Sequence, residues 1–386
     1  MKPFYDLRGP EAPPDLPDHW SFSGLAEWQD CPKRWWLLRA RYPNAPTPYP
    51  QVASVAAMKG RIIHHALEKF TEHVLLAARS GPIDYPKLRA VFPVRRVIRD
   101  YLASELGTEL STNPRVDASR ILAQVSLDDC VNAFKEAATS SLRGLIGGRP
   151  SLSEGGRSAK RAMGAEMWFE TEHPRLCGRL DLVLSGAVYD FKTGDPDPKH
   201  VDQLQFYALL FWLETDTPPS SLTLVYTKLA EIRDVEVPTP PSLATLRTRY
   251  AQEIQTIETV HRRGNPAARP DVETCRYCPV RHLCDEYWAA AATQPLRLGV
   301  EALDEAHADD TVWLDVDLEN MTAADASNGF VGYAQVAGVG SVRVSIAPTH
   351  CTADHRTRVR ILGGSVQRAE GGLSVRVAGS TEVFWM

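Results

Sequence analysis

The run LSGAVYDFKTGDPDP, from Leu184 to Pro198, places an acid and a base two residues apart, at Asp190 and Lys192. Residues two apart on a strand point to the same face, so these two project together while Phe191 turns toward a core. The preceding run GRLDLVL carries Asp181, and a tight connection at Ser185–Gly186 brings it beside Asp190. One strand further back, AEMWFE carries Glu166. Alone, Asp-x-Lys fits an exposed ion pair of little consequence. Three converging carboxylates are different, because they repel one another unless a cation separates them. Hard ions such as Mg²⁺ and Mn²⁺ take oxygen ligands, activate water and neutralise charge on a phosphoryl oxygen. A lysine beside them can position or deprotonate the attacking water, or offset the developing charge. The set suits hydrolysis of a phosphodiester.

The seven cysteines form a second constellation. Cys275, Cys278 and Cys284 stand at C-x2-C-x5-C spacing, which reads as a metal or cluster site lacking a fourth ligand. Thiolate ligation allows zinc or an iron–sulfur cluster, and His282 inside the motif is a spare zinc ligand. Cys130, Cys177 and Cys351 have no partners by spacing and read as packing residues. An odd count with no apolar signal core at the N-terminus argues against a disulfide framework.

A chain of 386 residues suits two or three domains. The net charge of −5 provides no global basic field, although a local basic groove remains compatible with it. Apolar runs such as YALLFWL are too short to span a bilayer. These features lead us to expect a soluble, cytoplasmic protein with no membrane partner.

The elements that must position these residues follow from periodicity. Residues 1–18 are rich in Pro and Asp and are expected to be disordered. SFSGLAEWQDCPKRWWLLRARY reads as one helix capped by Ser21 or Ser23, and ASVAAMKGRIIHHALEKFTEHVLLAAR as a second. Residues 81–145 are helical in pattern, followed by a loop rich in Gly, Ser, Arg and Lys. AEMWFETEH, LCGRLDLVL and AVYDFKT form an antiparallel meander. Then come a helix (KHVDQLQFYALLFWLE), two strands (SLTLVYTKL, IRDVEVP) and a long helix leading to the cysteines. The expected layout is a unit over 19–290, a linker over 291–310 and a five-strand barrel over 311–386. In strand count that barrel is similar to an OB-fold.

The order GRLDLV, YDFKTG, DQLQFYALL resembles the RecB-like branch of the PD-(D/E)XK nuclease family, over roughly residues 20–290. The resemblance implies an α/β fold, with a mixed central sheet flanked by helices and a helical insertion. It places the acids on Asp181 and Asp190, the lysine on Lys192 and the extra strand glutamate on Glu166. Gly60 and His64 match its Gly-x-x-x-His motif, which makes His64 a metal ligand with Asp181, Asp190 and Glu166. Glu68, one turn on, is then a candidate to orient the imidazole. Gln203 and Tyr207 match the Gln-x-x-x-Tyr motif near the active site. The iron–sulfur subset, similar to CRISPR-associated exonucleases and AddB-type nuclease domains, takes its fourth ligand far upstream. SFSGLAEWQDCPKRWW matches there, giving Cys31, Cys275, Cys278 and Cys284 a [4Fe–4S] cluster, with zinc as the alternative.

The implied partner is DNA, as single strands or duplex ends, in repair, recombination or defence. Phosphate contacts are expected at Arg157, Arg161 and Arg179, with Arg149 and Lys160 beside them. In the barrel, Arg343, Arg356, Arg358, Arg360 and Arg376 could guide a strand. Trp28, Trp35 and Trp36 are expected to pack near the cysteines. The alternative is a DNA-binding subunit whose nuclease works only with a separate helicase, since the chain carries no P-loop motif.

Overall fold

The computed structural model describes residues 9–43, 47–51, 55–78, 84–113, 115, 123–139, 163–293, 312–318, 322–325, 329–336, 340–346, 358–369, 372–377 and 381–385. A five-stranded mixed sheet is its centre, made of β1 (Met163–Glu172), β2 (Arg175–Leu184), β3 (Ala187–Lys192), β4 (Ser221–Tyr226) and β5 (Glu231–Val235), side by side in that order. β1, β2 and β3 are the expected antiparallel meander. β4 runs parallel to β3, which requires a crossover, and the helix Pro198–Thr215 supplies it.

Helices cover both faces. In chain order they are α1 (Phe22–Asp30), α2 (Pro32–Arg39), α3 (Val55–Ala78), α4 (Tyr85–Val91), α5 (Val94–Thr112), α6 (Leu127–Ala137), α7 (Pro198–Thr215), α8 (Pro240–Arg262), α9 (Val272–Arg276) and α10 (Asp285–Thr293). One core joins the sheet to α1, α2, α7 and α8. The other joins it to α3 and α6, with further side chains from α4 and α5. Sandwiched this way, β3 is buried along almost its whole length, which explains its nearly unbroken apolar run. Cys130 and Cys177 are buried packing residues, and Cys351 lies outside the described residues. Among the described residues no helix is long and apolar enough to cross a membrane.

The first expected helix is two helices. Pro32 opens α2 at a position that tolerates its missing N–H, and Cys31 before it is extended, with φ −158° and ψ 105°. Cys31 thus ends α1 and caps α2, its Sγ accepting from Arg34 N at 3.4 Å. Ser21 is the cap of α1. Trp28 and Trp35 pack with Trp20 at centroid separations of 5.2–6.5 Å, all in the core.

The C-terminal part holds seven strands in a half-barrel where the sequence indicated five in a barrel. They are β6 (Val312–Leu318), β7 (Thr322–Asp325), β8 (Gly329–Val336), β9 (Gly340–Ile346), β10 (Val359–Ala369), β11 (Gly372–Arg376) and β12 (Glu382–Trp385). The run LSVRVAGSTEVFWM is two strands, and β7 was not anticipated, being four residues with no alternation. β10 pairs with β6, β11 and β12, so one long strand organises the sheet.

Two glycines let elements approach closely. A Cβ on Gly178 would lie 2.7 Å from Leu210 Cδ1 and 3.1 Å from Tyr207 Cε1, so this point of β2 admits α7. A Cβ on Gly60 would lie 2.9 Å from Thr193 Oγ1, which seats α3 against the end of β3. Gly178→Ala is expected to destabilise the protein by about 1–3 kcal/mol through overpacking, read as a lower urea midpoint with an unchanged slope.

Candidate metal centre and cysteine site

Strand register brings the carboxylates together. The β1–β2 pairs Ala165↔Leu182 and Met167↔Leu180 flank Glu166 opposite Asp181. The β2–β3 pairing ends at Leu182↔Tyr189, and Asp181 and Asp190 are the next residues beyond that last pair. Glu166 has φ 50°, a left-handed conformation that costs a non-glycine residue about 1–3 kcal/mol. The ladder is interrupted at that residue. Asp181 Oδ2 accepts the Phe191 N–H at 2.7 Å and lies 3.2 Å from His64 Nε2 on α3. His64 Nδ1 is 3.9 Å from Glu166 Oε1. His64, Glu166 and Asp181 offer three ligand atoms within 4.8 Å of one another.

Asp190 is 1% exposed. Its Oδ2 lies 2.7 Å from Lys192 Nζ, a charge-assisted contact between a buried carboxylate and a half-buried ammonium. Lys192 Nζ donates to Gln203 Oε1 at 2.6 Å, and Gln203 Nε2 donates to Tyr207 OH at 2.8 Å. The two α7 residues therefore form a relay that aims the ammonium.

The electrostatics record the crowding. Burial would lower the pKa of His64, but the hydrogen bond and charge of Asp181, with Glu166 and Asp190 behind, push it up to about 9. Burial and the charge of Asp181 raise Glu166 to about 7 and push Asp190 up as well. The imidazole of His64 and the carboxylates of Glu166 and Asp181 are a donor set a hard divalent ion takes, with Asp190 next to them and paired with Lys192.

The profile of the PD-(D/E)XK nuclease superfamily matches residues 19–285. The chain belongs to this superfamily. PD-(D/E)XK nucleases are in general metal-dependent, and the carboxylate cluster fits that requirement. No curated protein matches the chain. One solved structure resembling part of it, reported as "Structural mimicry for functional antagonism", aligns at 6% identity with a TM-score of 0.18. That alignment covers 26% of this chain and 48% of the other, and it carries no argument.

In this PD-(D/E)XK protein the four cysteines of the sequence motif line one cavity, with Lys33, Arg34 and Arg281 at its walls. All four are buried free thiols. Burial raises Cys275, Cys278 to about 11 and Cys284 to about 12. Such thiols are inert unless a metal takes them as thiolates, and the cationic walls would offset that charge. Among the described residues, the groups whose ligand atoms lie within 4.8 Å of one another do not include these cysteines, which share a cavity.

Several expectations change. Glu68 does not orient His64; it lies 3.4 Å from His65 Nδ1 and 3.0 Å from Lys69 Nζ. His65 stacks on Tyr101 at 4.1 Å, facing away from the metal centre. His282 is no spare cysteine-site ligand. It stacks on Phe384 of β12 at 3.8 Å, with Tyr49 OH 2.9 Å from its Nε2. Arg360, 1% exposed, cannot meet DNA: it bonds Asp317, Asp285 and the His282 carbonyl. Arg358 is likewise held by Asp317. Arg179 is exposed and 3.4 Å from Glu166. Arg343 and Arg376 are exposed on the half-barrel. Arg149, Arg157, Lys160, Arg161 and Arg356 lie outside the described residues.

Sequence reasoning missed His200. It forms a capping box with Asp197 and lies 3.2 Å from Tyr226 OH. Burial and the charge of Lys192 hold its pKa below the usual value. The Asp197-Pro-Lys-His200 spacing was the available signal.

Asp181→Asn removes the largest support for the His64 proton. In metal-free protein, NMR titration of His64 is expected near pH 9 for the parent and clearly lower for the variant, where burial is opposed only by Glu166 and Asp190.

Proposed function

We propose that this protein is a metal-dependent deoxyribonuclease, an exonuclease acting on single-stranded DNA or DNA ends. The row Glu166–Asp181–Asp190 across three adjacent strands, beside His64 and Lys192, carries the reading. Glu166, Asp181, Asp190 and His64 hold Mg²⁺ or Mn²⁺. A bound ion makes water more acidic and neutralises charge on the phosphoryl oxygens. Lys192 orients the attacking water or stabilises charge on the scissile phosphate, and Gln203 and Tyr207 keep its ammonium aimed there. Arg179, with Arg157 and Arg161, holds phosphates.

The four cysteines carry a structural [4Fe–4S] cluster. Supporting this are the remote-plus-three spacing, the Cys-Pro pairs at 31–32 and 278–279, and the single cavity the thiols share. The cluster then pins residue 31 to the segment 275–284, and its binding free energy is folding free energy. We assign a nuclease unit to 19–290, a linker to 291–310 and a DNA-guiding unit to 311–386. The setting is cytoplasmic DNA repair, recombination or defence; a subunit that needs a separate helicase is the alternative.

The test is cleavage of end-labelled single- and double-stranded DNA in Mg²⁺ or Mn²⁺. Lys192→Ala and Asp190→Ala are each expected to lower the rate by about 10²-fold or more, with DNA binding retained. A parent protein that binds DNA but cleaves none would replace this reading with a helicase-dependent subunit. For the cysteines, anaerobically purified protein should contain about four irons per chain and absorb in the visible. Cys31→Ser should lose both and unfold several degrees lower. One zinc per chain and no colour would overturn the cluster.

A further inference from the structure

Trp168 is an exposed tryptophan on the edge strand β1, 58% accessible. Single exposed apolar side chains are ordinary, so its position must carry the argument. It stands two residues from Glu166 on the same strand. Its direct cross-strand partner is Arg179, itself two residues from Asp181. Arg179 is exposed, and its guanidinium reaches toward Glu166 at 3.4 Å. The indole is not loose: its Nε1 donates to Glu170 Oε2 at 3.2 Å. Trp20, Trp28, Trp35, Trp36 and Trp288 are buried and Trp212 is half-buried, and Trp20, Trp28 and Trp35 pack together in the core. A held aromatic face and an exposed guanidinium bonded to Glu166 therefore adjoin the carboxylates on one surface of the β1–β2 ladder.

We propose that Trp168 and Arg179 form a one-nucleotide subsite that selects single-stranded DNA. This rests on the nuclease reading above and names its substrate class. The indole stacks on the base next to the scissile phosphate, and Arg179 holds that nucleotide's phosphate. In a duplex the faces of each base are covered by its neighbours, so the platform is useful only to an unpaired or extruded base. Glu170 and Glu172 follow on the same strand, and Glu170 lies 3.6 Å from His19. Their charge repels further phosphates along β1, which limits the subsite to one nucleotide.

The experiment measures affinity of the full-length Asp190→Asn protein for labelled oligonucleotides, with and without Trp168→Ala or Trp168→Phe. A single abasic nucleotide is moved through each position. Trp168→Ala should weaken single-strand binding about tenfold and leave duplex binding unchanged, while Trp168→Phe restores most of it. One abasic position should cost the same tenfold in the Trp168 protein and nothing further in Trp168→Ala. Equal losses on single strand and duplex, or an abasic penalty unchanged by Trp168→Ala, would overturn the subsite. Cleavage by the parent is assayed separately: activity with no effect at Trp168 rejects the subsite alone, and a stacking penalty without cleavage rejects the nuclease alone.

Discussion

Three carboxylates stand side by side on three adjacent strands, and most of the PD-(D/E)XK unit answers that crowding. Burial and mutual repulsion make the charged forms costly, as the raised pKa values of Glu166 and Asp190 record. Two cations oppose this from different sides. His64 arrives from α3 against Asp181, and Lys192 arrives from β3 itself against Asp190. The Phe191 N–H adds a neutral donor to Asp181, taken from the backbone where β2 and β3 part. Metal-free, the site holds its charge together with a proton on His64, and a divalent ion would do the same with greater charge in less space.

The cysteine site is a second constraint, and it organises the other end of the molecule. Cys31 and the segment 275–284 are brought to one cavity from opposite ends of the nuclease unit. The half-barrel grips that same segment. Arg281 donates to Asp315 at 2.6 Å and to the Cys278 carbonyl at 3.2 Å. Arg115 spans Glu382 and the Pro279 carbonyl, and Arg360 caps the His282 carbonyl. Buried pairs of this kind contribute little net stability, yet removing one partner strands the other, so they fix one docking arrangement. The cysteine cavity and the sheet docking are thereby joined through the segment 275–284.

What was legible in the sequence was whatever depended on period and spacing. The alternation in LCGRLDLVL and AVYDFKT located β2 and β3, and the two-residue turn at Ser185–Gly186, with both φ positive, set the register joining Asp181 to Asp190. The four-residue step from Gln203 to Tyr207 placed both on one face of α7. What was not legible depended on long-range packing. The left-handed conformation of Glu166 has no local signal, because glutamate does not favour it. His282 sits among cysteines in sequence but turns to Phe384, about a hundred residues later. Arg360 reads as a surface cation in an alternating strand, and the acids at 285 and 317 with the His282 carbonyl make its burial tolerable.

The aim of Lys192 is set by volume as much as by charge. Its ammonium is held by Gln203, whose amide is held by the Tyr207 hydroxyl. The Tyr207 ring, in turn, lies where a side chain on residue 178 would stand. The missing Cβ of Gly178 therefore acts three contacts away from the ammonium. Any side chain there would displace the ring, and with it the hydrogen-bonded relay that ends beside Asp190. Gly178 lies three residues before Asp181, so the same strand supplies an acid to the site and the space that orients the base.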